Sequence, residues 1–275
     1  YASNPSYTYV PDNNFEQALI DLGYDDTLDD YVLTANISGV TSLDLEAKEI
    51  SDLTGIEGFT ALTSMNCSRN DLTSLNVGAN TALTYLDLSS NDLTSLDVSS
   101  NTALTFLNCD SNDLTSLDVS NNTALTYLNC HSNHLTSLDV SSNTALTRLN
   151  CDGNSLTSLD VSNNTALIEL RCYNNELTYL NMRNGVTDQL TTFYATNNSF
   201  DCIEVNADDI DYATANWTYE NGNIDEGVTF DFICGAEDQT HWYVATTGSD
   251  NSGSGTLESP LANIQTGIIV AADGD

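Results

Sequence analysis

From residue 72 onward, apolar and polar positions alternate in a pattern that returns every 21 residues. LTSLDVSSNTALTFLNCDSND (93–113) is followed by LTSLDVSNNTALTYLNCHSNH (114–134), and five such units fill 72–92, 93–113, 114–134, 135–155 and 156–176. A sixth starts at Leu177, carries three extra residues around Gly185 and closes at Phe200. Upstream, 62–71 is the second half of an earlier unit and 43–62 a more divergent copy. In Leu104-Thr105-Phe106-Leu107-Asn108-Cys109 the period of two places Leu107 and Cys109 inward and Phe106 and Asn108 outward, as a strand requires. LTSLDVS supplies a second alternating stretch, with Leu117 and Val119 inward, so each coil is expected to have two extended sides and little helix. Asn91, Asn112, Asn133, Asn154, Asn175 and Asn198 recur where the chain must turn, which predicts an internal ladder satisfying backbone groups the turn leaves unpaired. One coil cannot bury its own leucines, but a stack makes a continuous core.

The ends break the period. PDNNFEQALIDLG (11–23) predicts a short amphipathic helix with Phe15, Leu19, Ile20 and Leu22 on its buried side, started by Pro11 and Asp12 and stopped by Gly23. FDCIEV (200–205) takes the LTSLDV slot with altered residues, and the stretch to Cys234 reads as a closing cap. The expected division is an N-terminal cap at 1–36, the repeat array at 37–205, a C-terminal cap and linker at 206–239, and a separate beginning at 240–275. That last stretch runs from a short strand through a Gly/Ser turn to an apolar-periodic helix from about Pro260. It resembles the opening of right-handed parallel β-helix domains of the pectate-lyase type, which implies a second domain after residue 275.

Each unit holds LxxLxLxxNxL, as in Leu83, Leu86, Leu88, Asn91 and Leu93, the leucine-rich-repeat signature. With YTYVPDNNFEQALIDLGYDD, NISGVTSLDL and SDLTGIEGFTALTSMNCSRNDLTSL, these units resemble the secreted leucine-rich-repeat proteins of the Bacteroidota, often multidomain and often exported by the type IX system. The first repeat is also similar to internalin-type repeats, which mediate adhesion. The resemblance implies a mainly β leucine-rich-repeat solenoid at the cell surface or secreted, with a binding role, and it carries over no catalytic residue.

Charge narrows the partners. Forty acids against five Lys plus Arg give a formal net charge of −35, which repels nucleic acid and anionic membranes and favours cations, basic proteins or neutral polysaccharides. No run of about 18 apolar residues is present to span a membrane. No signal peptide is seen, and Tyr1 reads as the start of a processed or trimmed chain.

The cysteines fall into two sets. Cys67, Cys109, Cys130, Cys151 and Cys172 take the inward position that Leu88 holds elsewhere and are expected as free core thiols. Cys202 and Cys234 both lie in the closing segment, Cys202 at an outward slot, and are expected to form a disulfide that fits an oxidising compartment. A column of Asp97, Asp118, Asp139 and Asp160, with Asn76 and Asn181 at its ends, must be hydrated, bonded to nearby backbone or bridged by cations. Asp25, Asp26, Asp29 and Asp30 in YDDTLDD are weak calcium candidates; no other metal or cofactor is expected.

The outward positions of the other extended side change from unit to unit while the scaffold stays constant. They form three rows: Tyr85, Phe106, Tyr127, Arg148 and Glu169; Asp87, Asn108, Asn129, Asn150 and Arg171; and Ser89, Asp110, His131, Asp152 and Tyr173. Aromatics in line beside Asn and Asp suit stacking on sugar rings or gripping a protein, although aromatic ladders also stabilise sheets. His131 and His134 lack metal-site company, and no nucleophile elbow, phosphate-cradling loop or HExxH occurs. The expected function is a non-catalytic extracellular binding or adhesion module for a protein or glycan. The alternatives are an accessory region of a polysaccharide-degrading β-helix enzyme, or a spacer or filament subunit that self-associates through its ends.

Overall fold

The computed structural model describes residues 6–235; the β-helix-like stretch 240–275 lies outside the described residues. An antiparallel pair, β1 (Tyr7–Tyr9) and β2 (Tyr31–Leu33), brackets helix α1 (Asn13–Asp21) and is followed by the one-turn helix α2 (Thr34–Ile37). Strands β3 (Ser42–Asp44), β4 (Ser64–Asn66), β5 (Tyr85–Asp87), β6 (Phe106–Asn108), β7 (Tyr127–Asn129), β8 (Arg148–Asn150), β10 (Glu169–Arg171) and β12 (Thr192–Tyr194) form one parallel sheet in coil order. A second parallel sheet joins β9 (Ser158–Asp160), β11 (Tyr179–Asn181), β13 (Cys202–Glu204) and β14 (Thr229–Asp231), with helix α3 (Ile210–Asn216) after β13. The chain is therefore a mainly β solenoid of stacked parallel coils.

The core follows the inward period. Leu86, Leu107, Leu128, Leu149 and Leu170 pair in register across successive strands and are fully buried. Phe15 and Leu19 of α1 join the same core, and the Phe15 ring sits 6.4 Å from that of Phe59. Two residues expected on that side do not follow. Ile20 is only half-buried and Leu22 is 45% exposed, because the helix ends at Asp21 and Leu22, as its cap residue, leaves the apolar stripe. Asp12 starts the helix as expected: its Oδ1 accepts the Asn14 and Phe15 amides, while its Oδ2 accepts the Ser51 and Asp52 amides and fastens α1 to the first coils.

The asparagine ladder forms. Asn112 Nδ2 donates to the Leu88 and Cys109 carbonyls at 3.1 and 3.2 Å, and its Oδ1 accepts the Leu93 amide at 3.0 Å. The turn puts the preceding residue in the left-handed region, with φ of 55° at Ser90, 52° at Ser111 and 50° at Ser132; Gly153 takes this place at 60°. A second ladder escaped the sequence reading. Asn80, Asn101, Asn122, Asn143 and Asn164 are fully buried, and Asn101 Nδ2 donates to the Val77 and Asn80 carbonyls of the previous coil at 3.0 and 2.9 Å.

Two extended sides per coil proved half right. The first side pairs along the whole stack, whereas the second pairs only among β9, β11, β13 and β14. Upstream, grooves open between coils, one of about 420 Å³ being lined by Ser116, Leu117, Asp118, Ser120, Ser137 and Asp139. The aspartate column lies along this side, where like charges at strand spacing repel. At the closing end β9 pairs with β11 through Asp160 and Asn181, and β11 pairs with β13 at Glu204, whose carboxylate meets buried Arg183 at 3.1 Å.

Cys202 and Cys234 form the expected disulfide, with their Cα atoms 5.7 Å apart. Cys67, Cys109, Cys130, Cys151 and Cys172 are free and buried, and Cys109 Sγ donates to the Asn129 carbonyl of the next coil at 3.5 Å. Burial, with Asp152 nearby, pushes the Cys130 thiol up to about 12, so it remains protonated and apolar in character.

Candidate binding face

Register alignment brings the three rows of candidate side chains onto the first sheet and the turns that leave it. In the first row the Tyr85, Phe106 and Tyr127 rings stack at 4.3 and 4.4 Å, with interplanar angles of 10° and 8°. Such a stack hides ring faces against one another and turns edges and hydroxyls to solvent. The row continues into charge. Glu169 accepts Arg171 Nε at 2.7 Å and lies 3.6 Å from Arg148 Nε, while the Arg171 guanidinium sits 5.7 Å from the centre of the Tyr194 ring.

The second row is partly scaffold. Asp87, Asn108, Asn129 and Asn150 each accept the backbone amide two residues ahead, at 3.0, 3.3, 3.2 and 3.1 Å. Of the four, Asn129, expected outward, is buried, while Asp87, Asn108 and Asn150 stay partly exposed. In the third row Ser89 Oγ donates to Asp87 at 2.7 Å and His131 Nδ1 lies 3.2 Å from the Asp152 carbonyl. Asp152 is 1% exposed and turns back to accept the Tyr173 amide at 2.9 Å, so it too leaves the surface. Burial pushes its carboxyl up to about 7, against the opposing pull of the Tyr173 amide and Arg171. Burial also raises Asp110. Asp110, His131, Arg148, Asn150, Arg171 and Tyr173 keep partial or full exposure.

A threonine ladder supports this face and was missed. Thr84, Thr105, Thr126 and Thr147 each donate Oγ1 to the carbonyl of the Thr one coil earlier, at 2.9–3.0 Å. Its signal was the Thr that follows TAL in every unit up to Thr147.

The aspartate column is locally satisfied. Asp97, Asp118, Asp139 and Asp160 accept the amides of Ser99, Ser120, Ser141 and Ser162 at 2.8–2.9 Å. The side-chain and backbone hydrogen bonds of those serines hold Asp97, Asp118 and Asp139 below the usual carboxylate range. In the front loop, Asp29 accepts the Tyr31 amide and Asp26 the Thr27 hydroxyl, while buried Glu16 gathers the Asp29 and Tyr31 amides. Among the described residues, no group of three or more His, Cys, Asp or Glu side chains is disposed to hold a metal ion. His131 and His134 diverge, the latter lying 3.3 Å from exposed Asp113. No helix among the described residues is long and apolar enough to cross a membrane.

No family model matches the sequence. Over 72 residues, 26% of this chain, it is 39% identical to internalin J of Listeria monocytogenes, of which that stretch covers 8%. The structure of the internalin J functional domain, described as including a cysteine ladder, superposes over 74% of this chain and 53% of that one, with a TM-score of 0.60 and 35% identity. The fold is internalin-like. Internalin C2 of the same species agrees in fold, with a TM-score of 0.62 and 21% identity over 81% of this chain and 95% of that one. The chain thus spans only about half of the internalin J domain with which it shares a stacked-cysteine core.

Proposed function

We propose that this chain is a non-catalytic binding or adhesion module, secreted or held at a cell surface, that presents the first sheet to a protein partner. The observation that carries the reading is the separation of duties along each coil. Leu, Cys, Asn and Thr recur because neighbours must pack and bond alike, whereas Tyr85, Phe106, Tyr127, Arg148, Asp110, His131 and Tyr173 change from coil to coil on one continuous surface. Interfaces favour such aromatic and arginine anchors. A protein fits better than a glycan, because sugar stacking needs a free ring face and this column covers most of its own. The likeness to the internalin J domain and a disulfide that persists in oxidising compartments support an extracellular setting.

The test is a panel of extracellular proteins and glycans offered to the immobilised chain and to a Tyr85→Ala/Tyr127→Ala variant. Binding to a protein, weakened at least about tenfold in the variant, is expected for two central aromatic anchors. Binding unchanged in the variant would remove the proposed face.

A further inference from the structure

The aromatic column stops on one side without a cover. Tyr85 stacks on Phe106, so its other ring face looks along the sheet toward β4 and β3. There the register puts Ser64 and then Ser42 in the same row. Neither serine is large enough to cover a ring. Adjacent strands lie about 4.8 Å apart, so two small side chains in succession leave a slot wide enough for one planar group stacked on Tyr85.

The slot is flanked by carboxylates. The second row continues as Asp87, Asn66 and Asp44, with Asp44 exposed and accepting Asn66 Nδ2 at 3.1 Å. The Tyr85 hydroxyl is raised by burial and then by Asp87, Tyr127 and Asp44. Glu46 is already engaged by Arg69 at 3.2 Å.

At its other end the same row passes into charge. Beyond Tyr127 come Arg148 and the carboxylate of Glu169. One row across, Arg171 lies over the Tyr194 ring while its Nε meets Glu169. Arg171 thus lies over a ring with a carboxylate alongside, as does Arg183 over the Phe232 ring beside Glu204.

We propose that the slot formed by Tyr85, Ser64 and Ser42 receives an arginine side chain of the protein partner, its guanidinium stacking on the free face of Tyr85 and donating to Asp44 and Asp87. The proposal rests on the reading of this sheet as a protein-binding face. Charge chooses among planar occupants: two carboxylates within a chain of net charge −35 repel an anion and prefer a cation to a neutral ring. Shape chooses arginine over lysine, since the planar fork stacks on a ring and bonds two carboxylates, whereas an ammonium is a strongly hydrated point charge. Past Ser42, a hollow of about 470 Å³ lined by Ala18, Leu22, Asp44 and Lys48 gives room for the residues flanking that arginine. Exposed Leu22 offers them an apolar contact there.

The full chain is titrated with Nα-acetyl-arginine methylamide, in parallel with the lysine analogue and a methyl glucoside, following backbone and tyrosine-ring resonances. Saturable shifts centred on Ser64 and Tyr85, with the arginine compound binding at least about fivefold more tightly than the lysine one, are expected from stacking plus paired hydrogen bonds. Ser64→Tyr extends the column into the slot and should abolish those shifts with an unchanged circular dichroism spectrum. Asp44→Asn, an exposed change, should weaken binding about threefold or more. Equal binding of the lysine compound or the glucoside, or arginine shifts that survive Ser64→Tyr, overturn the proposal. Its failure can be told from that of the binding face. A partner protein retained by Ser64→Tyr but lost by Phe106→Ala/Tyr127→Ala leaves the face and removes the slot. A partner indifferent to both removes the two together.

Discussion

Asn112 ties three strands of chain together from inside a coil, bonding carbonyls of two coils and the amide of Leu93. Alanine there leaves these groups buried and unpaired, at a cost of roughly 2–4 kcal/mol for several lost bonds. Urea unfolding of Asn112→Ala should show that loss, while an outward exposed change such as Ser95→Ala should cost about 0.5 kcal/mol or less. Asp152 carries a pH signature of the opposite kind from most acids. In the folded chain it titrates at about 7, whereas in an unfolded chain a carboxyl ionises near 4. Between those values the folded state holds the extra proton, so this group's contribution is full below about pH 4 and is lost as pH rises through about 7. Asp152→Asn keeps an oxygen for the Tyr173 amide and should be more stable than the parent at pH 8, by roughly 1–3 kcal/mol, with no gain at pH 4. A gain independent of pH would contradict this account of Asp152.

A coil is the unit that repeats, yet its two sides are not equivalent. The first side bonds at every step because small threonines and asparagines let strands meet, and its outward rings stack instead of repelling. The second side carries Asp97, Asp118 and Asp139 in line without strand pairing, and forms a sheet only from β9 onward, where Asn181 and the Arg183–Glu204 pair lie. The closing end is tied further by Tyr179, whose hydroxyl donates to Glu204 at 3.0 Å, and by the disulfide across 32 residues. Reducing that disulfide, or replacing both cysteines with Ala, should cost about 3–4 kcal/mol on the chain-entropy account. Hydrogen exchange should place the loss in β13, β14 and α3, with β5–β8 unaffected. Uniform loss along the stack would contradict a local tie. The period of two sufficed to place Leu107, Cys109 and Phe106, because one face must be apolar. It could not place Asn129 or Asp152, since a polar side chain in an outward slot can bend back to a backbone amide, and periodicity carries no sign of that. Leu22 likewise looked apolar and periodic, but lay one residue past the end of its helix. Arg183 replaces a serine of the repeat, and only the fold shows that Glu204 waits opposite.

Taken together, the stack divides what is constant from what varies. The inward Leu, Cys and Asn positions and the threonine ladder set the spacing, and on the proposed reading the net charge of −35 favours basic partners for the sheet. On the proposed reading, recognition belongs to the changing outward positions and is independent of the grooves on the second side. The most direct test measures partner affinity and melting temperature together on two double variants of the full chain. One is Phe106→Ala/Tyr127→Ala on the first sheet, the other Ser95→Ala/Ser116→Ala on the second side. The account predicts that the first weakens the partner at least about tenfold, with only the modest loss of stability that aromatic stacking supplies, and that the second leaves both unchanged. Equal affinity of the first variant and the parent, or a loss that follows the second variant instead, would contradict it.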